Sequence, residues 1–357
     1  MTGGAADAVT AGAAALPAFD GRVRFGIQGS GQHTEGLPDP GLFRAVADLA
    51  ENLGWDSIWG GEHLSFHNPI LDLSVALSIF AARTERLLLG AGLVLLPLRH
   101  PSWLAKTYGS IDYVSEGRLL LGVGVGGEGE KDFEAAGVPI GERGARADEA
   151  IAAVRELWRA GADGRTASHD GRFYPFQGVS IDPPPARPGG PPLLVGGRSP
   201  AALRRAGRLG DGWLAYMVAA DRFARDFAEV RRHAAEAGRD PAALLPAIVL
   251  PAHVGPDGDA AREQARAHLS KRYNTPFQPH HVARYAIVGD PVECRARLRE
   301  YVASGVRHFV LNPAGPAARF LDEVEALHEL VVAPLRAELA AEVHPHNHRP
   351  DPGPVER

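Results

Sequence analysis

Two apolar runs, RLLLGAGLVLLP (86–97) and RLLLGVGVGGEGE (118–130), meet glycines toward their ends and are separated by one helix-length segment. That spacing is a strand, a crossover helix and a second strand parallel to the first. Neither run alternates polar with apolar residues, as expected of strands covered on both faces in an α/β protein. Such folds bind ligands beyond the carboxyl ends of their strands. The glycines therefore mark where chemistry is expected.

The pattern extends along the chain. VRFGIQ (23–28), WDSIWG (55–60), the two runs above, PLLVGG (192–197), DGWLAY (211–216), LLPAIVL (244–250) and VRHFVLN (306–312) read as eight strands. Helical spacing appears between them, at Leu42, Val46, Leu49, Ala50 and Leu53 before Gly54, around 71–82, and at Ile151, Val154, Leu157 and Trp158. It returns at Phe223, Phe227 and Val230, at Leu298 and Val302, and at Phe320, Val324, Leu327 and Val331. Eight strands each followed by a helix predict a (β/α)8 TIM barrel. No change of composition splits it, so one domain is expected over 21–342, between a flexible leader (1–20) and a proline-rich disordered tail (343–357). The segment 253–289 is too long for a plain connection and is expected as an insertion after the seventh strand that caps the barrel mouth. GRFYPFQGVSIDPPPARPGGPP (171–192) reads as a polar excursion over the surface.

A formal net charge of -5 argues against nucleic acid as a partner. No stretch approaches the roughly 20 apolar residues of a membrane span. The start lacks the basic region of a secretory signal, and a single cysteine, Cys294, forms no internal disulfide; both fit a cytoplasmic protein. His344, His346 and His348 have no acidic or cysteine companion, so no metal site is expected.

Gly122, Gly124 and Gly127 also satisfy the G-x-G-x-x-G spacing of a dinucleotide site. That reading requires a helix and then an acidic strand-end residue. Here KDFEAAG (131–137) reads as a short turn, and Asp148 falls within the helix of Ile151 and Trp158. The glycines are better read as backbone that lets a planar ring approach closely.

Glu62 and His63 close the second strand. An acid beside an imidazole there suits proton transfer, and equally suits a packed ion pair. His33 and His67, in polar loops, are the candidate substrate contacts. Gly90 and Gly92 strip one face of the third strand, for a flat ligand or merely for a bulge. Arg99 and His100 read as salt-bridged residues at the start of the next helix. After the fifth strand come Gly196, Gly197, Arg198, Ser199 and Pro200, with serine as N-cap and proline at the first helical position. A cation beside a helix N-terminus is unfavourable unless an anion binds there, so Arg198 points to a phosphate. Arg204, Arg205 and Arg208 read as the solvated face of that helix.

Taken together, WDSIWGGEH, LLLGAGLVLLPLRHP, EGRLLLGVGVGG, ERGARADEAIAAVRELW, HDGRFYPFQGV and PLLVGGRSPAALRRAGRLGDGWL resemble the luciferase-like flavin and deazaflavin oxidoreductase superfamily. The resemblance covers about 22–335 and is greatest to the subgroup that uses the deazaflavin coenzyme F420. It implies a cofactor ring against a bulge at Gly92–Leu93, where relatives often carry a non-proline cis peptide. Gly124 and Gly126 would lie beside the ring, and the cofactor phosphate would rest on Gly196, Gly197, Arg198 and Ser199. His63 would exchange the substrate proton during hydride transfer to or from a small organic molecule, with Glu62 fixing its orientation. A homodimer is also implied. Some relatives carry a catalytic glutamate where this chain has Gly127, with Glu128 and Glu130 displaced, so sugar-phosphate chemistry is not carried over. The rival readings are an FMN-dependent monooxygenase, a metal-dependent hydrolase using His33, Glu62, His63 and His67, and a non-catalytic cofactor-binding barrel.

Overall fold

The computed structural model describes residues 20–30, 33–127 and 129–343. Apart from Asp20 and Val343, the expected leader and tail lie outside the described residues, as does Glu128. Eight parallel strands form a closed barrel: Arg24–Ser30, Ser57–Gly60, Leu88–Leu95, Leu119–Gly124, Leu193–Gly196, Gly212–Tyr216, Leu245–Val254 and His308–Pro313. Each pairs with the next in sequence, the sixth with the seventh and the eighth with the first, so no barrel edge is left open. The expected (β/α)8 barrel is the fold. No described helix is long and apolar enough to cross a membrane.

The lack of alternation in the strands has a direct cause. Outward residues such as Leu89, Leu121 and Val195 pack under the helices, whereas Trp59, Leu88, Leu120, Leu194, Leu214, Leu245, Ala247, Val249 and Val310 fill the barrel interior. Trp59 is the largest of these and is fully buried, its indole Nε1 donating to Ser57 Oγ at 2.8 Å. A Cβ on Gly90 would come within 1.9 Å of that indole. The flat group against Gly90 is therefore the chain's own tryptophan, whereas a bulge, one of the two readings left open for these glycines, lies at Gly92.

The first helix, Leu42–Leu53, ends at Gly54 in the left-handed conformation that glycine adopts without strain. Two local expectations are corrected. KDFEAAG is not a turn: Glu130–Ala136 is a short helix closed by Gly137 at φ 65°. The excursion after residue 171 also belongs to a small antiparallel hairpin, Ala167–His169 with Phe176–Val179, and buries Tyr174 and Ile181. Aromatic content and β-branched residues spread thinly over so short a hairpin leave no periodicity to read.

The insertion after the seventh strand contains helices Gly258–Arg272 and Pro279–Tyr285 and a short strand, Ile287–Gly289, that pairs with the seventh strand. It is sewn to the loop after the second strand. His67 Nε2 and Asn68 Nδ2 both donate to the Arg272 carbonyl, at 2.8 and 3.0 Å.

Candidate active site

A cavity of about 420 Å³ opens at the carboxyl ends of the strands. Its wall includes Glu62, His63, Gly92, Leu93, Gly124, Gly126, Gly196, Gly197, Arg198 and Ser199. Those ten residues come from four strand ends, spread over 138 positions of sequence, and barrel closure brings them together. His33 and His67 are not among them. His33 borders a small adjoining cavity with Gln28, Arg272 and Asn312, and burial holds its imidazole below the usual range. His67 borders a second chamber beside the first.

His63 is held from an unexpected direction. Its Nδ1 lies 3.0 Å from Oδ2 of Asp132, while Oδ1 accepts the backbone N–H groups of Leu64 and Ser65 at 2.8 and 2.7 Å. Two amide donors on one oxygen suit an ionised carboxylate, so Nδ1 carries the hydrogen and Nε2 is left as the acceptor. Among the described residues Nε2 has no hydrogen-bond partner. Phe66 stacks on the imidazole, with ring centroids 4.0 Å apart. Glu62 does not orient His63, contrary to the expectation from sequence.

Glu62 instead faces the third strand and the helix that follows it. Its Oε2 accepts the Leu95 N–H at 2.7 Å, and the Arg99 guanidinium lies 2.7 Å from Oε1, out of line for a hydrogen bond. Burial pushes this carboxyl above its usual range, and Arg99 and the Leu95 amide pull it only partly back. Arg99 also pairs with Asp72, the N-cap of helix Leu73–Arg83. His100 Nδ1 caps helix Pro101–Val114 by accepting from Ser102. Both residues do what the sequence suggests for a helix start.

Third and fourth strands slip register between Ala91 and Val94, and the Gly92–Leu93 peptide in that bulge is cis. The side chain of Leu93 swings across the barrel mouth. A Cβ on Gly124 would lie 2.7 Å from Leu93 Cδ1, and one on Gly196 only 2.4 Å. These glycines make room for Leu93, which forms a floor for whatever the cavity holds. Their spacing in sequence shows that space is needed but not which side chain fills it.

Ser199 caps helix Pro200–Leu209, its Oγ accepting the Ala202 N–H at 3.2 Å. Gly197 has φ +108°, a conformation other residues rarely adopt, and its carbonyl accepts from Trp213 Nε1 at 2.8 Å. The loop is thus fixed with the helix amino end toward the cavity, where unpaired backbone N–H groups attract anions. Arg205 is not solvated, as the sequence suggested, but buried and ion-paired with Asp148. Two cations absent from the sequence reading complete the wall: Arg143, at the start of helix Arg143–Ala162, and Arg272, from the insertion, whose Nη1 donates to Asn312 Oδ1 at 2.9 Å. Three arginines and one arginine-paired carboxylate give the cavity a net positive lining. The hydrolase alternative lacks its ligand set, since no group of three or more His, Cys, Asp and Glu residues able to hold a metal occurs among the described residues.

A parallel barrel with a basic cavity and a carboxylate-held imidazole at its carboxyl mouth defines a TIM-barrel enzyme acting on small molecules. The chain belongs to the luciferase-like monooxygenase family, whose model matches residues 22–308, and it is an oxidoreductase of that family. It is 30% identical over 270 residues to a phthiodiolone/phenolphthiodiolone dimycocerosates ketoreductase of Mycobacterium tuberculosis, covering 68% of each chain. It is also 30% identical over 315 residues to an F420-dependent glucose-6-phosphate dehydrogenase of Mycolicibacterium fortuitum, covering 78% of this chain and 89% of that one. Among solved structures, monooxygenase RslO1 of Streptomyces bottropensis superposes with a TM-score of 0.74 at 26% identity, covering 87% of this chain and 99% of that one.

Proposed function

We propose that this enzyme transfers a hydride between the deazaflavin coenzyme F420 and a small organic substrate, with His63 carrying the accompanying proton. The observation that carries the reading is the His63–Asp132 pair on the wall of a basic cavity. Asp132 holds Nδ1–H, so Nε2 takes up or returns a proton at the substrate, and the resulting imidazolium is stabilised by the buried carboxylate. A cavity of about 420 Å³ suits a ring-sized ligand. Arg143, Arg198, Arg272 and the helix amino end at Ser199 suit the phosphate and carboxylates of such a cofactor, with Leu93 beneath the ring. The deazaflavin, when bound, supplies a two-electron hydride carrier. The names of two relatives, an F420-dependent dehydrogenase and a ketoreductase, support the same reading. A homodimer in the cytoplasm remains part of the proposal.

The second reading is an FMN-dependent monooxygenase, favoured by the match to RslO1 over almost the whole of that chain. Equilibrium titration of the purified protein with F420 and FMN, each oxidised and reduced, separates the two. F420 is expected to bind at least about tenfold more tightly, a difference of about 1.4 kcal/mol. Tighter binding of FMN overturns the deazaflavin assignment.

A further inference from the structure

The cavity described above does not end at His63. It shares Arg198, Tyr216 and Tyr273 with a second, more open chamber of about 720 Å³. The wall of that chamber is aromatic, with Phe66, Tyr216, Tyr273, Phe277 and Tyr285 beside Met217. Among the described residues lining it there is no lysine, aspartate or glutamate, and Arg198 is the one arginine.

We infer that this chamber is the substrate room, and that it selects a flat, uncharged aromatic molecule over a sugar phosphate or other polyanion. The inference rests on the hydride-transfer reading of the first cavity and names its substrate class. Three features support it. The rings are arranged as stacking surfaces: Tyr273 and Phe277 stack at 5.3 Å with 27° between planes, and His281 meets Phe277 edge-on at 5.9 Å. Aromatic faces of this kind hold planar ligands by offset stacking while losing little side-chain entropy. Next, Phe66 belongs to the chamber wall and is packed between His63 and His67, with ring centroids 4.0 and 4.1 Å away, so it joins the chamber to the proton-carrying imidazole. Finally, two of the polar groups of the wall already have partners. His67 is spent on the Arg272 carbonyl, and the Tyr273 hydroxyl donates to Met217 Sδ at 3.9 Å. A phosphate entering this room would shed its hydration without an array of cations to replace it.

The test is calorimetric titration of the full chain, without added cofactor, with 2-acetylnaphthalene, 2-undecanone and glucose 6-phosphate. 2-Acetylnaphthalene is expected to bind at least tenfold more tightly than 2-undecanone, and at least fivefold more weakly to Phe277→Ala than to the wild type, whereas any glucose 6-phosphate held by the arginines of the first cavity is expected to bind both proteins equally. Phe277 also packs within the insertion, so Phe277→Leu is measured alongside: it keeps apolar bulk, loses the ring face, and is expected to lose at least threefold. Equal binding of the aromatic and alkyl ketones, glucose 6-phosphate binding that Phe277→Ala weakens, or wild-type affinity for 2-acetylnaphthalene in Phe277→Leu overturns the inference. Because no cofactor is added, this result stands or falls apart from the F420 and FMN titration.

Discussion

Nδ1 of His63 and Oδ2 of Asp132 lie 3.0 Å apart although 69 residues separate them in sequence. His63 follows the second strand and Asp132 sits in the short helix after the fourth, so their contact spans the bulged third strand between them. The Asp132 side chain is 2% exposed and that of His63 12%, which keeps the pair out of bulk water and strengthens it.

Asp132→Asn tests that relationship. The amide oxygen still accepts from the Leu64 and Ser65 backbone, so the fold is expected to hold. Its NH2 group favours the other tautomer of His63 and leaves a neutral partner for the imidazolium. With whichever substrate is found, kcat is expected to fall by about 10²-fold or more, with cofactor affinity and thermal midpoint nearly unchanged. His63→Ala should lose at least as much, and the double variant no more than His63→Ala alone. Additive losses would mean that the two residues do not act as a unit.

Ser199→Asp probes the anion cradle without disturbing the cap, since aspartate and serine are about equally good N-caps. The new carboxylate accepts the Ala202 N–H as the hydroxyl does, but repels a phosphate beside the helix amino end. Cofactor affinity is expected to fall about tenfold or more, about 1.4 kcal/mol, with the thermal midpoint of the cofactor-free protein unmoved. Unchanged affinity, measured by equilibrium titration, would move the phosphate elsewhere on the wall.

Acid sensitivity should be traceable to His308. It is fully buried in the barrel, with Nε2 2.8 Å from Ser57 Oγ. Burial, helped by Arg24, holds its imidazole down at about 3. The unfolded chain takes up this proton near pH 6.5 and the folded chain does not, so stability rises with pH through that window and is lost on acidification. From pH 7 to pH 5 the loss from this residue is about 2 kcal/mol. Asp112, pushed up to about 6 by burial, has the opposite slope over part of the range. It is common to wild type and variant and cancels in their difference. Urea unfolding of wild type and His308→Gln at the two pH values should show the wild type losing about 2 kcal/mol more. Equal losses would remove His308 as the cause.

The barrel was legible because its strands are covered on both faces and stand out as uninterrupted apolar runs, each closed by turn residues. The same holds for the cap at Ser199 and Pro200, where the chemistry is local. Contacts that depend on closure were not legible. Asp132 lies in a helix of seven residues, too short for an apolar period, and nothing near it in sequence points to His63. Arg143 and Arg272 are two among many arginines until the fold turns them toward one cavity. Gly90, Gly124 and Gly196 announce a need for space, but Trp59 and Leu93 take it, and a glycine carries no record of the neighbour it accommodates.

The stitch between His67, Asn68 and the Arg272 carbonyl has an evolutionary consequence. The acceptor is a main-chain oxygen, a group that every amino acid supplies, so the fastening places no demand on the identity of the residues that follow it. Exposed positions of 273–285, outside the small core that holds Val282, can drift in size and polarity while the insertion stays anchored to the barrel. New substrate preferences are then reachable by single replacements in that stretch, with the proton-handling pair inherited unaltered.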